Sequence, residues 1–198
     1  MRIYYSDQHE IPLPAGHKFP LRKYRLLREA LAADGRFDLE PAPLASIETI
    51  CLAHDREYVQ HFINGTLDPQ AMRRIGFPWS EGLVRRTLAS AGGTLAATRD
   101  AFAGGIGATL SGGTHHAFRS EGSGFCVFND VAIAIHSMRA QGDQRRVGVV
   151  DLDVHQGDGT AHFFENDASV LTLSLHGARN FPFAAQHHRC RASRSNRR

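Results

Sequence analysis

The stretch that decides the fold of this chain is Val147-Gly-Val-Val-Asp-Leu-Asp-Val-His-Gln-Gly-Asp-Gly159. Its apolar start, Val147 to Val150, predicts a buried β-strand. Because side chains alternate along an extended chain, Asp151, Asp153 and His155 should point in the same direction. Two carboxylates and an imidazole at a buried strand end are costly to desolvate unless they bind something. Their oxygen and nitrogen atoms suit Zn²⁺ or a similar divalent ion, so the stretch predicts a metal site. The alternative is a capped strand end with a solvated acidic loop.

A second polar cluster lies upstream, where the strand-like run 106–110 leads into Ser111-Gly-Gly-Thr-His-His-Ala117. Adjacent residues cannot share one face of a strand or a helix, so His115 and His116 need an irregular loop to converge on a site. Gly112 and Gly113 supply that freedom. Imidazoles exchange protons near pH 7, so the pair suits general acid–base catalysis. Without other support, two neighbouring histidines indicate only a polar loop.

The rest of the chain alternates between strand and helix patterns, with residues 66–80 predicted as a long loop. The predicted strands are Arg2–Tyr5, 106–110, 147–153 and Val170–Leu175, and the predicted helices are Leu21–Ala33, Asp55–Ile63, Ser80–Phe102, Asn129–Ala140 and Thr160–Glu165. This order predicts an α/β fold with a parallel sheet flanked by helices on both faces. Ligands bind such sheets beyond the carboxyl ends of the strands, where the two polar clusters fall.

A third cluster, Gly122-Ser-Gly-Phe-Cys-Val-Phe-Asn-Asp130, indicates an ordinary loop when taken alone. In order and spacing, however, the three clusters together resemble the histone deacetylase family. The matching stretches are Gly112–His116, Ser120–Asp130, Asp151–Gly159 and Leu173–His176. The opening Ile11–Pro20 and Lys23-Tyr24 resemble the bacterial branch near the class IV enzymes. The resemblance covers about residues 1 to 183 and implies an arginase/deacetylase-like fold, incomplete at its C-terminal side.

The resemblance implies a role for each matching residue. Asp153 and His155 match two of the family's three zinc ligands. His115 and His116 match the pair beside the zinc-bound water. Asp151 and Asp158 match the carboxylates that orient those histidines, and a carboxylate does fix the tautomer of its imidazole and raise its basicity.

Two further sites are implied by the same resemblance. Gly124 and Phe125 match the wall of the channel for an acyl-lysine stem, although Phe125 is otherwise a reasonable core aromatic. Ser174 and Leu175, with Asp151, Asp153 and His155, match a structural site for a monovalent cation such as K⁺. A strand-end hydroxyl is the simpler interpretation of Ser174.

The sequence departs from the family after Phe183. Residues 184–198 show no hydrophobic periodicity, and the last ten contain five arginines and no acid. We therefore expect residues 1–183 to be the N-terminal part of a deacetylase-like catalytic domain and residues 184–198 to be an unrelated, disordered tail. The family's third zinc ligand, an Asp, and a Tyr that donates to the reacting carbonyl have no position here. His187 and His188 are not expected to replace them, so we expect truncation to cripple the activity.

Composition limits the class of protein. The net charge of +3 belongs to the arginine-rich tail, because the other 188 residues carry 18 basic and 20 acidic side chains. A specific nucleic-acid partner is therefore not expected. No apolar run approaches the length of a membrane span, and Met1–Tyr5 predicts a strand rather than a secretion signal. The three cysteines form neither a disulfide framework nor a zinc-finger pattern, so we expect a cytoplasmic protein.

Three functions stay open. The first is a zinc-dependent amide hydrolase that removes acetyl or related acyl groups from lysine on a protein or from a small amine. The second is an inactive fragment or non-catalytic binding module, which the missing Asp and Tyr favour. The third is an arginase-like metallohydrolase with paired Mn²⁺, which the pair His115 and His116 disfavours.

Overall fold

A computed structural model describes residues 1–183 of the chain. Over this range, strands and helices alternate in the order β1 (Arg2–Tyr5), α1 (Arg22–Asp34), β2 (Asp38–Pro41), α2 (Ile47–Ile50), α3 (Arg56–Ile63), α4 (Pro69–Ile75), α5 (Glu81–Gly104), β3 (Ala108–Thr109), α6 (Asp130–Ala140), β4 (Val147–Asp151), α7 (Asp158–Phe163) and β5 (Val170–Ser174). No helix in this range is both long and apolar enough to cross a membrane. The predicted disordered tail, with His187 and His188, lies outside the described residues.

The strands pair in parallel, as the sequence predicts, but they form two separate sheets. The first has the order β2-β1-β3, in which Ile3 lies opposite Leu39 and Ala108. The second contains β4 and β5, with Val150 opposite Leu173. Helix α5 packs on β1, β3 and α6, and thereby links the first sheet to the helix that precedes β4.

The predicted burial of β4 is wrong for one of its faces. Val147 and Val149 pack against the main hydrophobic core, whereas Val150 is 63% exposed. Its neighbour Leu173 on β5 is 47% exposed. The apolar run therefore has one partly buried face and one exposed face, because the described part of the chain places no element over the second.

Residues 66–80 contain a helix, α4, where the sequence predicted a loop. Asp68 caps its start by accepting a hydrogen bond from the Gln70 N–H (2.7 Å), and Pro69 occupies the first helical position. Proline favours that position because its missing N–H would be unpaired there. Gly76, at φ 89°, ends the helix in the left-handed conformation. The proline was thus a helix-start signal rather than a loop signal.

Strand β4 ends at Asp151, two residues earlier than predicted. The Asp153 N–H donates to the Asp151 carboxylate (3.0 Å), and the His155 N–H donates to the Asp153 carboxylate (2.8 Å). Such side-chain turns compete with strand pairing. Asp153 and His155 therefore lie on a bent segment beyond the strand. The alternation of side chains along a strand, from which we expected Asp151, Asp153 and His155 to point in the same direction, does not apply to them. Strand β3 is also short, at two residues instead of 106–110.

Two glycines in α5 allow the close packing beneath the first sheet. A Cβ at Gly92 would overlap the carbonyl oxygen of Pro43, and one at Gly93 would lie 2.8 Å from Thr109 Oγ1. Helix α5 consequently lies directly against the chain after β2 and against β3. This packing positions the loop that follows β3, where the histidine pair is found.

Candidate active site

The loop after β3 is held by a buried carboxylate that the sequence analysis did not single out. Asp130, 1% exposed at the start of α6, accepts hydrogen bonds from the N–H groups of Gly113 (3.0 Å) and Thr114 (2.8 Å). Gly112 and Gly113 adopt positive φ values of 142° and 66°. An acidic residue directly after a helix N-cap was the available signal. The anchored loop allows two adjacent histidines to reach one site.

Each histidine of the pair is bonded to its own carboxylate. His115 Nδ1 lies 2.6 Å from Asp151 Oδ2, and His116 Nδ1 lies 2.7 Å from Asp158 Oδ1. The ring centroids of the two histidines are 4.0 Å apart, and both side chains are buried. Because a carboxylate only accepts, each Nδ1 carries a proton and donates it. The Nε2 atom of each ring takes no part in these bonds and is therefore available for proton transfer.

His115 and Asp151, the first histidine–aspartate pair, shift each other's pKa in opposite directions. Burial lowers the pKa of His115, but the hydrogen bond and the charge of Asp151 outweigh it and raise the pKa above its ordinary value. Burial raises the pKa of Asp151, but hydrogen bonds from His115 and from the Asp153 N–H bring it below its ordinary value. The pair consequently favours imidazolium beside carboxylate.

Asp153 and His155 lie next to this pair, at a more exposed position. The Asp153 Oδ1 atom is 2.8 Å from His155 Nδ1 and 3.9 Å from His115 Nε2. The carboxylate oxygen and the imidazole nitrogen are of the type that zinc binds, but at 2.8 Å they are hydrogen-bonded to each other. Two ligands of one tetrahedral zinc ion lie about 3.3 Å apart, so these two groups would have to separate to occupy two positions of such a site. Within residues 1–183, no group of three or more His, Cys, Asp or Glu side chains is arranged to hold a metal ion.

Gly157 is a further residue that the sequence analysis did not assign. A Cβ at this position would overlap the Asp151 carboxylate and lie 3.3 Å from His115 Nδ1. Only glycine therefore allows α7 to begin so close to the first pair. The Thr160 N–H of the same helix donates to the carbonyl oxygen of His115 (3.0 Å), which ties the helix to the histidine loop.

The predicted channel residues Gly124 and Phe125 lie in different surroundings. A Cβ on Gly124 would be 2.8 Å from His116 Cδ2 and 3.0 Å from Phe181 Cε1, so its backbone lies directly beside the site. The Phe125 ring packs 5.2 Å from the rings of Phe19 and Phe77. Phe181, which the sequence analysis missed, places its ring 4.8 Å from His116. Gly124 and Phe181 therefore form the wall closest to the histidines.

The residues predicted for a monovalent cation lie close to the first pair. Ser174 lies opposite Asp151 in the β4–β5 register, and the Leu175 N–H donates to the Asp151 carbonyl oxygen (2.9 Å). Ser174 Oγ is 2.9 Å from His176 Nδ1. The hydroxyl thus has a hydrogen-bond partner just beyond the end of its own strand.

Comparisons with known proteins identify several relatives of the chain. The chain is 44% identical over 187 residues to an uncharacterised protein of Picosynechococcus, covering 93% of the chain and 62% of that protein. It is 36% identical to histone deacetylase 8 of Xenopus tropicalis, covering 67% of the chain and 38% of that protein. It is 33% identical to the acetoin utilization protein AcuC of Bacillus subtilis, covering 86% of the chain and 46% of that protein.

Solved structures give the same result for the fold. The structure of an HDAC homologue complexed with SAHA superposes with a TM-score of 0.79 at 28% identity, covering 93% of this chain and 53% of that one. An HDAC homologue from Aquifex aeolicus gives 0.79 at 27% identity and the same coverage. The chain thus spans about half the length of these structures. Residues 17–197 match the family model described as the histone deacetylase domain, and the chain belongs to the histone deacetylase family.

Proposed function

We propose that this chain supplies the proton-transfer groups and part of the metal site of an amide hydrolase that removes acyl groups from lysine or a small amine. The observation that carries the proposal is the convergence of two histidine–aspartate pairs on one point. Their rings are 4.0 Å apart, and His155 lies 5.8 Å from His116. Family membership supports a deacetylase, whereas the metal and the substrate are our inference.

The two histidines have different roles in this proposal. His115 holds a proton more firmly, because Asp151 raises its pKa, and it places positive charge beside the reacting amide. His116, bonded through Nδ1 to Asp158, presents Nε2 to the site as the acceptor of a proton from water and its donor to the leaving amine. The carboxylates stabilise the imidazolium forms and hold each ring in orientation.

Asp153 and His155 would hold the metal ion together with a ligand from outside residues 1–183. When bound, zinc polarises the amide carbonyl and makes water a stronger nucleophile. Gly124 and the Phe181 ring give the entrance an uncharged wall beside His116. Such a wall suits the alkyl stem of an acylated lysine or polyamine.

The proposal is tested by hydrolysis of a fluorogenic acetyl-lysine amide. The assay compares this chain with the chain extended by the part of the Picosynechococcus relative that it does not match. We expect turnover in the extended protein, abolished by a hydroxamate chelator and reduced roughly 10³-fold by His116→Ala, which removes a proton-transfer group. His61→Ala, at an exposed histidine of α3, is the matched control and should retain activity.

The alternative functions predict other results in the same assay. Arginine hydrolysis that depends on Mn²⁺ would favour an arginase-like enzyme. A folded extended protein that binds an acetyl-lysine peptide but does not turn it over would favour a binding module. Turnover that His116→Ala leaves unchanged would refute the assignment of the histidines.

A further inference from the structure

Basic side chains are concentrated around the wall beside the histidine pair. Four segments form this wall and its immediate supports, namely residues 17–23, 73–76, 121–125 and 179–181. They contain one acidic residue, Glu121, and six basic residues, which we call the basic rim: Lys18, Arg22, Lys23, Arg73, Arg74 and Arg179. All six are exposed. The rest of residues 1–188 carries 12 basic and 19 acidic side chains, so this part of the chain differs in sign from the remainder.

A backbone hydrogen bond joins the end of α4 to this wall. The Gly124 N–H, directly beside His116, donates to the Arg74 carbonyl oxygen (3.2 Å). The Arg74 guanidinium is 3.0 Å from the Glu121 carboxylate, which neutralises part of its charge. The other five members of the basic rim have no carboxylate partner within residues 1–183. Their charges are therefore open to a ligand.

Aromatic contacts bring residues 17–23 to the same place. The Phe19 ring packs 5.2 Å from the ring of Phe125, the predicted channel residue. Lys23 Nζ lies 5.9 Å from the centroid of the Phe19 ring, and Lys18 directly precedes Phe19 in the chain. Two ammonium groups are thus attached to the segment that packs against Phe125.

Arg179 belongs to a third segment at the same opening. It lies two residues before Phe181, whose ring is 4.8 Å from the ring of His116. The carboxylates inside the site are each hydrogen-bonded to a histidine. Charges interact over a Debye length of about 10 Å at 0.1 M salt, so a substrate at the opening responds to the summed charge of the rim.

We propose that the basic rim selects acyl-lysine that lies in an acidic peptide segment and disfavours acylated polyamines. This inference rests on the proposed function and narrows its substrate class. Glutamate or aspartate side chains beside the acyl-lysine would meet the exposed cations, whereas the free ammonium groups of a polyamine would be repelled. The rim touches the flanks of the substrate and not the reacting amide, so the preference should appear in KM.

A nucleic acid is a poorer partner for the rim. It presents no acyl-lysine to the channel that the rim surrounds. Outside the rim, residues 1–188 are acidic in balance, which does not favour a long phosphate backbone.

The first test compares substrates of the extended protein. Two peptides of equal length carry one acetyl-lysine flanked by glutamates or by lysines, and monoacetylated spermidine represents the small amines. We expect kcat/KM for the glutamate peptide to exceed the other two roughly tenfold at about 0.1 M salt. The difference should vanish at about 1 M salt, where the Debye length is about 3 Å. Equal kcat/KM values at low salt, or a preference for the lysine peptide, would overturn the proposal.

Charge reversal in the same assay assigns the preference to the rim. Lys18→Glu combined with Arg179→Glu should remove the preference for the glutamate peptide. Arg99→Glu is the matched control and should retain it, because Arg99 is an exposed arginine of α5 beside Asp100, which pairs with Arg2 at the opposite end of the first sheet.

A binding measurement separates this inference from the proposed function, because it needs no turnover. Fluorescence anisotropy follows the two labelled peptides as the full chain is added. We expect tighter binding of the glutamate peptide, weakened by the double variant and not by Arg99→Glu. The arginine-rich tail is the same in all three proteins, so binding through the tail would give equal affinities and overturn the proposal. A short single-stranded DNA that binds more tightly than the glutamate peptide would assign the rim to nucleic acid instead. If the extended protein hydrolyses no substrate, the proposed function fails, and the binding result still decides this inference.

Discussion

His54 should make the stability of this protein sensitive to mild acid. The side chain is 1% exposed and connects two segments that hold the histidine loop. Its Nδ1–H donates to the Arg119 carbonyl oxygen (3.1 Å), and its Nε2 accepts from the N–H of Asn129 (2.8 Å), the N-cap of α6. Protonation of Nε2 would break the second bond and bury a charge. The folded protein therefore keeps this imidazole neutral.

The size of the effect follows from the pKa. Burial lowers the pKa of His54 from 6.5 to about 4. Below pH 6.5 the unfolded chain binds a proton that the folded chain does not, so the free energy of unfolding falls as the pH falls. A tenfold difference in proton affinity corresponds to about 1.4 kcal/mol. The expected loss is about 2 kcal/mol at pH 5 and approaches about 3 kcal/mol near pH 4.

Urea denaturation between pH 7 and pH 4 measures this loss. His54→Gln is the informative variant, because its amide can donate to Arg119 and accept from Asn129 without titrating. We expect lower stability for the variant at pH 7, since ring packing is lost, but a flatter pH profile. His61→Gln, at an exposed histidine, should follow the wild-type profile.

The reasoning is refuted if wild type and His54→Gln lose stability in parallel between pH 6.5 and pH 4. It is equally refuted if NMR shows the His54 ring titrating near its ordinary pKa in the folded protein. Either result would mean that the folded state carries the imidazolium without cost.

Three shorter predictions concern the site and its support. Gly124→Ala should lower the free energy of unfolding by about 1–2 kcal/mol, and with it the melting temperature, because φ is 54° and the new Cβ would press on His116. An unchanged melting temperature would contradict this. Asp130→Asn should cost about 1–3 kcal/mol in urea denaturation, since it replaces a buried acceptor of two backbone N–H groups; a loss below 0.5 kcal/mol would show that the loop holds itself. Burial raises the pKa of Cys126 to about 12, so iodoacetamide at pH 8 should label Cys51 well before Cys126 by mass spectrometry, and equal rates would argue against the burial.

Local patterns in the sequence identified most elements and the polar clusters. The apolar run before Asp151 predicted β4, and the helices predicted to begin at Ser80 and Asn129 correspond to α5 and α6, which those two residues cap. These signals act within a few residues along the chain, where alternation, capping and glycine conformation are determined. The same locality explains the failure at α4, where Pro69 fits both a loop and the first turn of a helix.

Pairings between distant residues needed the tertiary structure. Asp151 is 36 residues from His115, and Asp158 is 42 residues from His116. The family resemblance suggested these partners, but the residues alone did not. The split into two sheets, the bare face at Val150 and the approach of Phe181 to His116 likewise follow from which elements cover one another. Such coverage depends on long-range packing, so a single stretch of sequence specifies which side chains are apolar but not what covers them.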